Sequence, residues 1–161
     1  MSYPLWLPNL LRRCIVCACE EGDCKVVVSG PEGAFFIIKI DKCLSKYEPE
    51  LLGKPICDCA IVCEDLICLV EIKCGKVRPG DFENGIKSQL DEVEGFFRKH
   101  GFSGRRFIRI VAIRSYGTHT LRWMVSRRLL HKRIGADILT PRRNSLTLRA
   151  GEGLIILRFI S

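Results

Sequence analysis

The chain has 161 residues, 47% of them hydrophobic and 27% charged, which excludes a disordered or fibrous protein and allows one domain with a substantial core. No apolar run approaches the roughly 20 residues of a membrane helix, so no membrane partner is expected. The net charge of +8 is unevenly spread, −5 over residues 1–97 and +13 over 98–161, and such asymmetry predicts a polyanion partner, nucleic acid first.

In chain order, MSYPLWLPNLLRR predicts a short amphipathic helix over residues 5–13. Its basic pair follows the apolar stretch, the reverse of a secretory signal, so a cytoplasmic location is expected. Lys25–Ser29 and Ala34–Ile40 are β-branched, apolar runs around Gly30-Pro31-Glu32-Gly33, which predicts an N-terminal β-hairpin. Residues 45–55 are broken by Pro49, Gly53 and Pro55. Two strands follow, about Ile56–Cys63 and Leu66–Lys73, joined across Glu64-Asp65. Asp81 caps a helix over Phe82–His100 that stops at Gly101, with Phe82, Ile86, Leu90, Val93, Phe96 and Phe97 at helical period. Arg106–Arg114 reads as a strand, and Thr118–Arg133 as a basic helix with Trp123, Val125, Leu129 and Leu130 towards the core. Ala136–Thr140, Ser145–Leu148 and Leu154–Ile160 complete the chain as strands. This order predicts an α/β protein, a single domain whose mixed β-sheet carries helices on its faces.

Ten cysteines leave three options open: buried thiols, structural disulfides, or a metal site built on Cys14, Cys17, Cys19 and Cys24. Arg outnumbers Lys 16 to 10, and the chain has one Gln and three Asn. Scarce thermolabile amides fit a thermophile-like source, where intracellular disulfides occur. The same bias offers a second explanation of the basic half, an Arg-rich surface without a polyanion partner.

The stretch CDCAIVCEDLICLVEIKCGK, residues 57–76, holds five of the cysteines but also Asp58, Glu71 and Lys73. Alternation puts Glu71 and Lys73 on one face, and the tight turn sets Asp58 opposite roughly residue 71. Charges converging in an apolar hairpin need a cation or a strong network, and hard oxygen ligands suit Mg²⁺ or Mn²⁺. LICLVEIK is apolar on both faces, which predicts a central rather than an edge strand. Cys57, Cys59, Cys63 and Cys68 stand where valine or alanine would also fit, and are expected to pack the core.

Asp58, twelve residues, then Glu71-Ile72-Lys73 resembles the motif of the PD-(D/E)XK nuclease superfamily. ENGIKSQLDEVEGFFRKHG is similar to the Gln-bearing helix of archaeal Holliday junction resolvases and RecB-like nucleases, with Gln89 in the place of theirs. The likeness spans about residues 54–115, which would be the catalytic core between a Cys-rich segment (1–44) and a basic one (116–161). It departs at Cys57, where the motif has Pro, and in lacking an acidic residue on an N-terminal helix. Glu20, Glu21, Glu32, Glu48 and Glu50 are the candidates for that extra carboxylate.

The resemblance implies a restriction-endonuclease-like core and metal-dependent DNA hydrolysis, as in repair or recombination. In that scheme Asp58 and Glu71, with the Ile72 carbonyl, hold one or two Mg²⁺ or Mn²⁺ ions. Lys73 orients water or stabilises developing charge, and Gln89 orients the site. A structure-selective endonuclease acting on branched or single-stranded DNA, working as a homodimer, is the implied form. Arg105, Arg106, Arg122, Arg127, Arg128, Lys132, Arg133, Arg142 and Arg143 are the expected phosphate contacts. A nucleic-acid-binding protein with a nuclease-like fold and no cleavage remains the alternative of a different class.

Overall fold

The computed structural model describes residues 2–126 and 128–161, without the side chains of Glu83, Thr120, Ser126 and Leu130. The chain opens with one helical turn α1 (Asn9–Arg12), then β1 (Ile15–Val16), β2 (Cys19–Glu21), β3 (Cys24–Ser29) and β4 (Phe35–Lys39). Short turns follow, including α2 (Ser45–Tyr47), and lead into β5 (Cys59–Cys63) and the long β6 (Leu66–Val77). The helical run α3 (Pro79–Asp81), a wide turn over Phe82–Ile86, and α4 (Lys87–Phe97) is followed by β7 (Arg106–Tyr116). Last come α5 (His119–Ser126), α6 (Leu129–Ile134), β8 (Ala136–Leu139), β9 (Ser145–Ala150) and β10 (Gly153–Ile160).

Among the described residues, ten strands form two sheets. The first has six strands in the order β1-β4-β5-β6-β7-β8 and is mixed: its first three pairings are antiparallel, β6–β7 and β7–β8 parallel. The second is antiparallel, in the order β2-β3-β10-β9. Helices cover only one face of the mixed sheet, where Leu69, Val62, Val111 and Ile113 pack on Phe82, Leu90, Phe97, Leu121 and Ile134. The second sheet covers the other face, with Val26, Ile155, Leu157 and Phe159 against Ile61, Cys68, Val70, Ile72 and Ile110. A central strand enclosed on both sides must be apolar at odd and even positions alike, which is why LICLVEI is buried throughout. The central placement expected of this strand is what the structure has.

The fold corrects four expectations. Lys25–Ser29 and Ala34–Ile40 do not pair as a hairpin: β3 joins β2 and β10, whereas β4 lies between β1 and β5 in the other sheet. The Gly-Pro turn passes the chain between sheets, because β3 and β4 each bury a face in a different core. The N-terminal hairpin is instead β2–β3, turning at Gly22 (φ +58). Helix 5–13 shrinks to Asn9–Arg12. Thr118–Arg133 splits at Arg128, whose φ of +58 cannot continue a right-handed helix. Its core stripe of Leu121, Met124 and Val125 would otherwise bring Arg128 and Lys132 to the buried face; the break resets the phase so that Ile134 packs instead. Trp123 is 54% exposed rather than buried, and Leu130 lies outside the described side chains.

The cysteines also sort differently. Cys14–Cys43, Cys19–Cys59 and Cys24–Cys74 are disulfides with Cα separations of 5.7, 5.9 and 5.8 Å, the ordinary span for such bonds. Cys14, Cys19 and Cys24 therefore do not share a metal, and Cys59 is cross-linked rather than a packing thiol. Cys57, Cys63 and Cys68 remain free, buried thiols that fill the core as expected.

Candidate functional site

The pairing Cys59↔Val70 runs on past the end of β5 and brings Asp58 beside Glu71. Both side chains are buried, at 5% and 2% exposure. Alternation turns Glu71 to the same side as Leu69, towards α4. The backbone N–H of Ile72 donates to Asp58 Oδ2 at 2.7 Å, which fixes one carboxylate by the strand that carries the other. Lys73 reaches back to Glu71, Nζ to Oε2 3.4 Å. From α4, Gln89 donates to the Ile56 carbonyl at 3.2 Å and so closes the wall behind the pair.

These groups line a cleft of about 320 Å³ together with Ile72, Glu21 and Asp41. Carboxylate oxygens of Glu21, Asp41 and Asp58 lie within 4.8 Å of one another. Burial first, and then the neighbouring Asp58 carboxyl, push the Glu71 carboxyl up to about 9, against the opposing pull of the Lys73 ammonium. Glu71 Oε2, Glu21 Oε2 and Gln89 Oε1 are buried without a hydrogen-bond donor. Two of these acceptors have an ammonium nearby without an aligned hydrogen bond, Lys73 at 3.4 Å from Glu71 and Lys42 at 3.8 Å from Glu21. Together with Asp58 and Asp41 they form a set of hard oxygen donors of the kind that fits a divalent cation. Asp58, Glu21 and Asp41 are the side chains close enough to share one, and Glu71 lines the same cleft beside Asp58.

Of the five upstream glutamates, the fold brings Glu21 into the cleft, carried by the β2–β3 hairpin. Asp41, just after β4, was not singled out in the sequence; its signal was a charge ending the apolar run FFIIKI, one strand away from Asp58. All three disulfides are anchored beside the cleft: Cys43 is two residues from Asp41, Cys59 follows Asp58, and Cys74 follows Lys73. Cys19 and Cys24 bracket Glu21, so two covalent bonds hold this hairpin on the mixed sheet.

The basic residues divide into groups. Arg105 lies at the far end of the sheet, donating to the Glu64 and Trp6 carbonyls and stacking on Phe102 at 4.3 Å. Arg106 donates to the Arg149 carbonyl there. Arg122, Arg128, Arg142 and Arg143 line one cleft of about 530 Å³ near the C-terminal end of β7. Lys132 and Arg133 are exposed on α6. Arg127 lies outside the described residues. Among the described residues, no helix is long and apolar enough to cross a membrane.

No family model matches this chain, and neither does any curated protein or solved structure. What stands by itself is a mixed α/β fold whose central hairpin holds a buried acidic cluster with one lysine.

Proposed function

We propose that the chain is a metal-dependent nuclease that hydrolyses DNA phosphodiester bonds, built on a restriction-endonuclease-like core. The observation that carries this reading is the joint placement of Asp58, Glu71 and Lys73 on adjacent strands, with Gln89 behind them and orphaned acceptors in the same cleft. Asp58, Glu71 and the Ile72 carbonyl would hold Mg²⁺ or Mn²⁺, with Glu21 and Asp41 completing the donor set. Such an ion supplies Lewis acidity to a phosphodiester oxygen and lowers the pKa of a bound water.

The chain's own groups do the rest. Lys73, 34% exposed, presents its ammonium at the cleft mouth, where negative charge develops in the transition state. The Ile72 N–H holds the Asp58 carboxylate in one orientation, so no reorganisation is needed as charge moves. Gln89 ties α4 to Ile56 and keeps its own oxygen turned to the cleft wall. The basic C-terminal half supplies phosphate contacts that position a strand without reading its sequence.

Cleavage of branched, duplex and single-stranded DNA in Mg²⁺ or Mn²⁺ tests the reading, with Glu71→Ala beside wild type. Metal-dependent products from wild type and none from the variant are expected. If wild type cuts nothing, or Glu71→Ala cuts equally well, the nuclease reading fails; salt-sensitive binding without products would then favour the non-cleaving alternative.

A further inference from the structure

A second cleft, distinct from that of the carboxylates, is lined by basic residues. Arg114 and Tyr116 on β7, Arg122 on α5, Arg128 before α6, and Arg142 and Arg143 in the loop after β8 surround about 530 Å³. That volume lies within the about 300–1,000 Å³ of clefts that enclose a small molecule, and is far too small for a duplex. Among the described residues, Asp137 is the one carboxylate in its lining. Arg114 has a 4.0 Å contact with Asp23, whose side chain is 93% exposed. Among the described residues, no carboxylate lies within ion-pair distance of Arg122, Arg128, Arg142 or Arg143. Cations crowded into a concave site without partners repel one another, and an anion relieves that cost. His131 in the same wall has its pKa lowered by burial first and then by Arg128 and Arg143, against the opposing pull of Asp137. The loop bearing Arg142 and Arg143 is braced: Arg143 N–H donates to Thr140 Oγ1 at 3.2 Å, and Thr140 N–H to the Arg143 carbonyl at 3.1 Å.

We propose that this cleft binds the terminal phosphate of a single nucleic-acid strand, with the guanidiniums on the phosphate and Tyr116 beside the last nucleotide. A phosphomonoester carries nearly two charges at neutral pH and three acceptor oxygens, which matches several converging guanidiniums better than one internal phosphodiester does. Forked guanidiniums bind such an oxyanion through paired hydrogen bonds. The parallel register joins the two clefts: Lys73 pairs with Ile113, and Arg114 and Tyr116 follow on the same strand. Strand spacing and rise put their Cα atoms roughly 6 and 11 Å from that of Lys73, with Arg114 turned by alternation to the opposite face of the sheet, so the two clefts meet around the sheet rather than on one face. A strand end held here lies a few nucleotides at most from the carboxylates. This placement rests on the nuclease reading, but the binding itself does not.

The test measures binding in chelator, so cleavage plays no part. Fluorescence anisotropy compares single-stranded oligonucleotides of one sequence bearing a 5′-phosphate, a 3′-phosphate or hydroxyls at both ends. One phosphorylated end should bind about tenfold more tightly than the hydroxyl form. That preference should vanish in Arg142→Gln/Arg143→Gln and persist in Arg149→Gln/Arg158→Gln, which removes equal charge from the second sheet. Both pairs are exposed, and circular dichroism verifies their folding. Equal binding of all three oligonucleotides, survival of the preference in Arg142→Gln/Arg143→Gln, or equal loss in both double variants would overturn the proposal. Because these readings need no metal, a failed cleavage assay leaves them standing, and a lost end preference leaves the carboxylate site untouched.

Discussion

Glu71→Gln in metal-free buffer should stabilise the protein at alkaline pH and flatten its pH dependence. The Glu71 carboxyl rises from 4.5 to about 9 on folding. Below pH 4.5 both states hold the proton and Glu71 contributes no slope. Between 4.5 and 9 the folded state keeps a proton that the unfolded state releases, so stability falls as pH rises. At about 1.4 kcal/mol per unit, roughly 3 kcal/mol is lost by pH 7, and about 6 kcal/mol is the upper limit above pH 9. Glutamine donates to Asp58 as the protonated acid does, without ever ionising, so the variant escapes this loss. Urea denaturation from pH 5 to 9 in chelator reads the slope directly. Mg²⁺ or Mn²⁺ added at pH 8 should raise wild-type stability more than that of the variant, since only wild type offers the full anionic site. A variant with the wild-type slope, or one less stable than wild type at pH 8, refutes the claim that Glu71 is a buried, proton-holding carboxyl.

The disulfides give a second prediction: Cys24→Ser/Cys74→Ser should cost about 2–4 kcal/mol in denaturation. It should also weaken Mn²⁺ binding about tenfold or more in a calorimetric titration, because the hairpin carrying Glu21 loses an anchor. Arg105→Ala should lower stability by about 2 kcal/mol through its lost carbonyl contacts and its place on Phe102, while nucleic-acid affinity stays unchanged. A marked loss of affinity would return Arg105 to the phosphate contacts. At Gly117 an added Cβ would stand 2.6 Å from the Val77 carbonyl oxygen, which also accepts the Gly117 N–H. Gly117→Ala should therefore lower stability by about 1–3 kcal/mol in thermal melts.

Local rules set by neighbouring residues determined much of this protein. The turn at Glu64-Asp65 and strand alternation brought Asp58 to Glu71, since a two-residue connection leaves little freedom of register. The period of Phe82, Ile86, Leu90, Val93 and Phe97 fixed which face of the long helical run is buried. Only the tertiary structure decided what depends on partners far along the chain. Lys25–Ser29 and Phe35–Lys39 have strand chemistry, but their partners are residues 156–160 and 59–63, and nothing local selects these over each other. The same holds for the cysteines, whose bonds span 29, 40 and 50 residues. Asp41 reaches Asp58 through the pairing of β4 with β5, and Glu21 only because the second sheet stacks on the first; burial beneath α4, not proximity in sequence, lifts the Glu71 carboxyl out of the ordinary acid range.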